Sequence, residues 1–376
     1  MEITFLAWRD PWHPDGGGSE VYVEEVARRL AERGHTVTIR SAADSDRPVR
    51  ETIDGVAHVR RGGRLTVYLH GFAHLLSSSG RRADVVVDVI NGVPFWSPLL
   101  RHRGVVALVH HVHREQWAII YPNWKGRVGW FIESRLTPLL YQRVSFVTVS
   151  RHSADDLVGI GIKPSRITIV PNGLDQAVIG PAPGARSATP RLVVLSRLVP
   201  HKQIEHALGV VARLRGEIPG LCLDIVGDGW WRDELVAESR RLGVDDLVTF
   251  HGHVPEPQKQ LLLARAWLML LPSVKEGWGI AVTEAALQGT PTVGYASSGG
   301  LAESIEHGRT GLLVEGRAEL VSATRSLLAD PVTRDQLSVA ARRRALQLDW
   351  DATADRFEQA LGVASRSAVA VGDDLV

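Results

Sequence analysis

The densest chemistry in the sequence lies in LLPSVKEGWGIAVTEAALQGTPTV, where Glu276 and Glu284 are separated by seven residues. The segment reads as a buried strand, a loop, a helix beginning near Gly279, a stop at Gly289 and another strand. Gly277 and Gly279 let backbone approach a ligand closely, and free N–H groups and the dipole of a helix N-terminus favour a phosphate there. Glu284 falls about one and a half turns into that helix, within reach of a ribose hydroxyl pair. A plain turn followed by two solvated glutamates accounts for each piece alone, but less well for the whole strand–EGWG–helix–Glu unit. A second constellation is LVVLSRLVPHKQIEHAL, in which a strand ends at Arg197 and Lys202 follows at the start of a helix. Two cations beside a strand C-terminus in an α/β domain suit a diphosphate, although spacing alone equally allows a surface ion pair.

Together these segments resemble the GT-B glycosyltransferases of the large retaining family 4 (glycosyl transferases group 1), and the resemblance covers nearly the whole chain. It implies that Glu276 contacts sugar hydroxyls near the reacting carbon and that Glu284 holds the nucleotide ribose. It also implies that the backbone of Gly277, Trp278, Gly279 and Ile280 faces the sugar and diphosphate, and that Arg197 and Lys202 are the phosphate-binding pair. In IVGDGWWRDEL, Gly227 and Gly229 would let the chain pass close to the nucleotide, where a plain βα turn is the alternative. In HGHVPEP, backbone around Val254 would read the base edge, and Gly299 and Gly300 in SSGGLAES look structural.

In the first half, RDPWHPDGGGSEVYVEEVARRL puts Gly16, Gly17 and Gly18 between a strand and a helix. This is no dinucleotide fingerprint, because Val21 stands where GxGxxG needs its third glycine, and no GxxxxGK[ST] pattern occurs. The resemblance implies that the three glycines bring amides to the donor sugar and phosphate. GVVALVHHVHREQW places His110, His111 and His113 at a strand end. By resemblance a histidine there touches the donor sugar, and counting along the strand favours His110. His111, His113 and Trp117 are acceptor-side candidates, or else loop residues. Three close histidines also admit zinc, which the lack of an accompanying acidic or Cys cluster disfavours. Segment 101–151 carries eight Lys and Arg against two Asp and Glu, a net +6, with Trp117, Trp124 and Trp130. Such a mixture suits an anionic membrane interface or a phosphorylated acceptor. The favoured reading is plainer: a lid and helical face whose aromatics complete the first domain's core.

The elements that must position these residues alternate. Strand-like runs at 3–7, 36–40, 83–90, 104–110, 145–150 and 166–170 are followed, after a Gly/Ala/Pro-rich stretch at 180–190, by 191–196, 221–226, 247–251, 268–272, 290–294 and 311–314. Many are apolar without alternation, as in parallel strands buried on both faces. Helical periodicity between them puts Val23, Val26, Ala27 and Leu30 on one face of 19–33, with Ser19 placed to cap the start and Gly34 to end it. Asp54-Gly55 between strand-like arms predicts a β-hairpin. The expected fold is therefore α/β, GT-B, with two Rossmann-like doubly wound parallel sheets facing a central cleft. The expected division is an acceptor-side domain over 1–180, joined by a C-terminal helix at about 350–365, and a nucleotide-sugar domain over 181–349. The last residues, from about 363, read as a disordered tail.

A net charge of +1 and no recognised motif argue against a nucleic-acid partner. MEITFLAWRDPW reads as a first strand and not a signal peptide, and no apolar run reaches the ~18–20 residues of a membrane span. The one cysteine, Cys222, sits in a strand-like run and reads as packing. A cytoplasmic protein follows, with peripheral contact to the inner face of the plasma membrane left open. The bias to arginine over lysine fits a GC-rich bacterial genome. The Asp-Asp pairs at 155–156, 245–246 and 373–374 read as solvated and not as a metal motif.

The expected reaction moves a sugar from a UDP- or GDP-linked donor to an acceptor hydroxyl, with no metal and no cofactor beyond that co-substrate. The acceptor is a sugar, a lipid-linked glycan or a small natural product. By resemblance, Glu276 and His110 orient the sugar while Arg197, Lys202 and the helix near Gly279 stabilise the departing diphosphate, whose oxygen takes the acceptor's proton. Two other readings stay in view. One is an epimerase or hydrolase of GT-B-like fold, against which the Glu276–Glu284 unit with Arg197 and Lys202 weighs. The other is a non-catalytic nucleotide-sugar-binding protein, which would bind donor without turnover.

Overall fold

A computed structural model describes residues 1–43, 47–175 and 186–366. The chain divides into two α/β units, one formed by Met1–Gly173 with the chain from Trp350 onward, the other by Leu174–Asp349.

The first unit is built on β1 (Glu2–Leu6), β2 (Thr36–Ser41), β3 (Arg50–Ile53) and β4 (Val56–Arg60). The sheet continues through β5 (Val85–Val89), β6 (Val105–Val109), β7 (Ser145–Thr148) and β8 (Ile167–Ile169). Its order is β3-β4-β2-β1-β5-β6-β7-β8, and all neighbours are parallel except β3 and β4. Every residue of β5 and β6 is buried, which is why β6 reads as an unbroken apolar run and β5 as one interrupted by Asp88. The Asp88 carboxylate accepts from Phe95 N and the Ser97 and Tyr141 hydroxyls. The expected hairpin forms β3 and β4. Asp54 (φ 46°) and Gly55 (φ 81°) both take the left-handed conformation that a two-residue turn demands. The hairpin is also the edge of the main sheet, because β4 pairs in parallel with β2.

The helix Gly18–Glu32 buries Val23, Val26, Ala27 and Leu30, and Gly34 (φ 86°) stops it. Ser19 does not cap it. Gly17 is the N-cap, and the Glu20 carboxylate accepts the Gly17 N–H at 2.8 Å. A glutamate in the first turn holds the cap from inside the helix, so the serine hydroxyl is not needed there and donates to Glu20 instead. The helix Trp350–Arg366 completes this unit: Phe357 stacks on Phe5 (6.0 Å), Trp350 meets Tyr22 edge-on (5.8 Å), and Arg29 pairs with Asp351 at 2.7 Å. It extends through 363–366, where the sequence suggested an irregular tail.

The second unit contains β9 (Arg191–Leu195), β10 (Cys222–Val226) and β11 (Val248–Gly252), followed by β12 (Leu268–Leu271), β13 (Thr292–Tyr295) and β14 (Gly311–Val314). All neighbours are parallel in the order β11-β10-β9-β12-β13-β14. The order reverses between β9 and β12, and in the first unit between β1 and β5. In doubly wound sheets ligands bind beyond the carboxyl ends of strands at such switch points.

Cys222 is half-buried, and burial pushes its thiol up, away from the reactive thiolate. Among the described residues no helix is long and apolar enough to cross a membrane. Asp245 and Asp246 are exposed, as is Asp155, while Asp156 pairs with His152. The pair at 373–374, the tail from 367 and residues 176–185 of the interdomain stretch lie outside the described residues.

Candidate active site

In the second unit the chain leaves β9 through Ser196-Arg197-Leu198 and a tight turn, Pro200–Lys202, before the helix Ile204–Leu214. The Gly-Asp-Gly turn after β10 lies directly against this loop. Ser196 N donates to Val226 O (3.0 Å) and Leu198 N to Asp228 O (2.9 Å). A Cβ on Gly227 would stand 2.1 Å from Ser196 O, and one on Gly229 2.3 Å from Leu198 O. The two glycines therefore permit backbone-to-backbone contact with the loop that carries Arg197.

From β12 the chain runs through Ser273 to Glu276 and into the helix Ile280–Leu287, whose N-cap is Gly279 in the left-handed conformation (φ 85°). Lys202 Nζ lies 2.6 Å from Glu276 Oε1, and the same oxygen accepts the Ser273 hydroxyl at 2.7 Å. Backbone bonds fix the loop from both sides. Val274 N donates to His201 O (2.9 Å), Glu276 N to Ser298 O (2.8 Å) and Gly300 N to Glu276 O (3.0 Å). The turn bearing Lys202 and the loop bearing Glu276 are thus stitched together at the carboxyl ends of adjacent strands β9 and β12. Trp278 is buried with its indole N–H facing no acceptor among the described residues.

Gly299 takes the left-handed conformation (φ 74°), and Gly300 serves this loop sterically. A Cβ on Gly300 would sit 2.1 Å from Gly277 O. Gly300→Ala is expected to push the Glu276–Gly277 segment out of place and to weaken nucleotide binding by about tenfold or more, as overpacking costs ~1–3 kcal/mol. Titration calorimetry against the parent protein checks this, and an unchanged affinity would show that the loop tolerates displacement.

Glu284 projects from the helix Ile280–Leu287 and is held by Lys259 at 2.6 Å, which also pairs with Glu256 at 2.8 Å. Burial opposes charge on Lys259, but the two carboxylates outweigh it and raise its pKa. Val254, between β11 and the helix Glu256–Arg265, is half-buried against the core.

In the first unit, Gly16 closes a turn onto His13 O (2.7 Å) where a Cβ would meet Pro11 O at 2.7 Å. Gly17 and Gly18 then open the helix, with Glu20 gripping the Gly17 amide and forming an ion pair with Arg9 at 2.9 Å. His110 follows β6, buried and edge-on to Tyr22 at 5.2 Å, and its carbonyl accepts the Ser153 hydroxyl at 2.8 Å. Burial pushes the imidazole down to about 4, so it is neutral at physiological pH. Its Nε2 is buried and meets no partner among the described residues.

His111 Nε2 lies 3.0 Å from Gln116 Oε1, and the His111 and His113 rings are 4.3 Å apart. Buried Glu133 gathers the rest. It accepts from His113 N (3.1 Å) and the Trp117 indole (2.8 Å), and its carboxylate lies 2.9 Å from His113 Nδ1. Glu133 sits in a π-helical turn, Ile132–Leu136, a wide turn that recurs at functional sites. Among the described residues no group of three or more His, Cys, Asp or Glu side chains is arranged to hold a metal ion.

Sequence reasoning missed Glu20, Glu133, Lys259 and Ser273. Glu20 had a signal, since a glutamate three residues after an N-cap is half of a capping box. Lys259 had a fainter one: the chain has only five lysines, and Lys202 and Lys259 grip the two motif glutamates. Glu133 and Ser273 had none, because their roles depend on contacts the spacing does not reveal.

Both halves of the chain match known families. The family described as Glycosyltransferase Family 4 matches residues 16–178, and Glycosyl transferases group 1 matches residues 178–344. A D-inositol 3-phosphate glycosyltransferase of Thermobispora bispora is 30% identical over 93% of this chain and 90% of its own. A glycogen synthase of Mycobacterium tuberculosis is 27% identical over 97% and 95%. The structure resembles a sucrose-phosphate synthase from Thermosynechococcus elongatus, with a TM-score of 0.81, 20% identity and coverage of 95% and 97%. It also resembles Anabaena HepE in complex with UDP and glucose, with a TM-score of 0.76, 20% identity and coverage of 96% and 100%. With both halves matched in chain order and each sheet carrying the expected topology, the chain belongs to the group 1, family 4 glycosyltransferases of GT-B fold.

Proposed function

We propose that this glycosyltransferase moves a hexose from a UDP- or GDP-linked donor to an acceptor hydroxyl with retention of configuration, using no metal. The observation that carries the reading is the clustering of Lys202, Glu276 and the Gly279 helix start at the switch point between β9 and β12. Arg197 and Lys202 supply positive charge for a diphosphate, the task a divalent cation performs elsewhere. In this reading Glu276 accepts from sugar hydroxyls, and Glu284 from ribose hydroxyls. Neutral His110 offers its Nε2 to a sugar hydroxyl, a contact that a protonated ring could make only at the cost of a buried charge. The departing phosphate oxygen takes the acceptor's proton, so no second carboxylate is required as in double displacement. The acceptor is a sugar, a lipid-linked glycan or a small natural product, and the protein works in the cytoplasm.

Titration calorimetry of UDP and of GDP in EDTA tests the donor half of this reading. One nucleotide is expected to bind, and Glu284→Ala to weaken it about ten- to a hundredfold, since a hydrogen bond to a charged group contributes roughly 1.5–3 kcal/mol. If folded protein binds neither nucleotide, the donor site is misassigned. NMR of the transferred sugar's anomeric configuration tests retention.

A further inference from the structure

We propose that the outer face of the helix Trp124–Phe131 docks on an anionic lipid surface. An ordinary surface helix turns its large apolar side chains inward and its polar ones outward. This helix is inverted. Its buried positions include Gly126 and Gly129. A Cβ on Gly126 would stand 2.1 Å from Tyr121 O, and one on Gly129 2.4 Å from the Trp117 ring. The two glycines let the helix lie flush on the preceding one, Arg114–Ile120.

Three of its large apolar residues point the other way. Trp124, Val128 and Phe131 are 67%, 46% and 54% exposed, and their i, i+4, i+7 spacing places them on one face. Ile119 and Leu139 are exposed nearby in sequence. Of the three tryptophans read as core, Trp117 and Trp130 are half-buried, as expected, and Trp124 is not. The Trp117 ring already covers Gly129, and Trp124 projects outward from the opposite face.

Charge selects the occupant. Lys125, Arg127 and Arg135 are exposed among these apolar side chains, and segment 101–151 carries a net +6 in a chain of net +1. Of its two acids, Glu133 is consumed internally by His113 and Trp117. An indole and a phenyl ring set between cations match the boundary between acyl chains and headgroup phosphates, with the long basic side chains reaching the phosphates. The helix would lie in the plane of the surface.

Co-sedimentation of the full chain with vesicles checks this, comparing pure phosphatidylcholine with the same lipid containing phosphatidylglycerol. Binding is expected only to the anionic vesicles and to weaken with salt. Each Lys or Arg near such a surface is worth ~1 kcal/mol, about fivefold, so Lys125→Glu with Arg127→Glu should lower partitioning by about 25-fold or more. Trp124→Ser with Phe131→Ser should lower it roughly tenfold or more, from the lost apolar burial. Because all four side chains are exposed, the melting temperature and slow donor hydrolysis should match the parent. Equal partitioning of parent and variants, or none by the parent, overturns the proposal. So does a concentration-dependent dimer, seen by sedimentation velocity, that the Trp124/Phe131 variant abolishes, because a second copy would then be the occupant.

Discussion

Lys202→Ala is expected to lower kcat for sugar transfer by about 10²–10³-fold, the scale seen when one preorganised charge-stabilising donor is removed from an active site. Negative charge grows on the diphosphate as the glycosidic bond breaks, so a cation held in place does more for the transition state than for the bound donor. The substitution also strips Glu276 of its ammonium partner, leaving the half-buried carboxylate with the Ser273 hydroxyl as its other bonded partner. Both effects point the same way. Lys202→Arg should recover only part of the loss, because a guanidinium is a planar fork where this site holds a point charge. Steady-state kinetics with donor varied at saturating acceptor separate the outcomes. A raised KM with kcat intact would mean that Lys202 binds donor and transition state equally, and the electrostatic role would fall.

The largest expected loss of stability comes from Glu20→Ala. Glu20 and Arg9 are 3% and 6% exposed and paired at 2.9 Å, and the same carboxylate holds the Gly17 amide that begins the first helix. Removing one partner of a buried pair leaves the other charged and unsolvated, at a cost of ~3–5 kcal/mol. The loss of the cap adds to it. Scanning calorimetry should show an early transition for the first unit, with the second unit's transition unmoved. The double change Arg9→Leu with Glu20→Leu should be milder than Glu20→Ala, since no charge is stranded. A destabilisation under ~0.5 kcal/mol would show that the Gly17 amide and Arg9 find other partners.

Much of this was legible in the sequence because period and punctuation reflect local physics. A fully buried strand such as β6 is written as an apolar run, and Asp54-Gly55 can hardly be anything but a tight turn. The candidate site's strand–loop–helix frame was legible where it is packed into one stretch, as from Glu276 to Glu284. It was illegible where partners come from separate elements. Lys259 meets Glu284 across 25 residues, and Glu133 meets Trp117 through a helical turn of non-standard pitch. Helix Trp124–Phe131 misled the reading of core aromatics for a simpler reason. Periodicity shows that an apolar face exists, and the position of two glycines decides which way it points.

The closing helix sets an order of events during synthesis. Trp350, Phe357 and Leu361 are buried in the first unit, yet they emerge from the ribosome after all of β9 to β14. Until they arrive, the sides of Phe5 and Tyr22 that they cover face water. The second unit, continuous in the chain, is free to fold as soon as it is made, so the half that begins first is the half that finishes last. A nascent chain of this protein therefore carries an open apolar seam for most of its elongation, the kind of surface that chaperones bind.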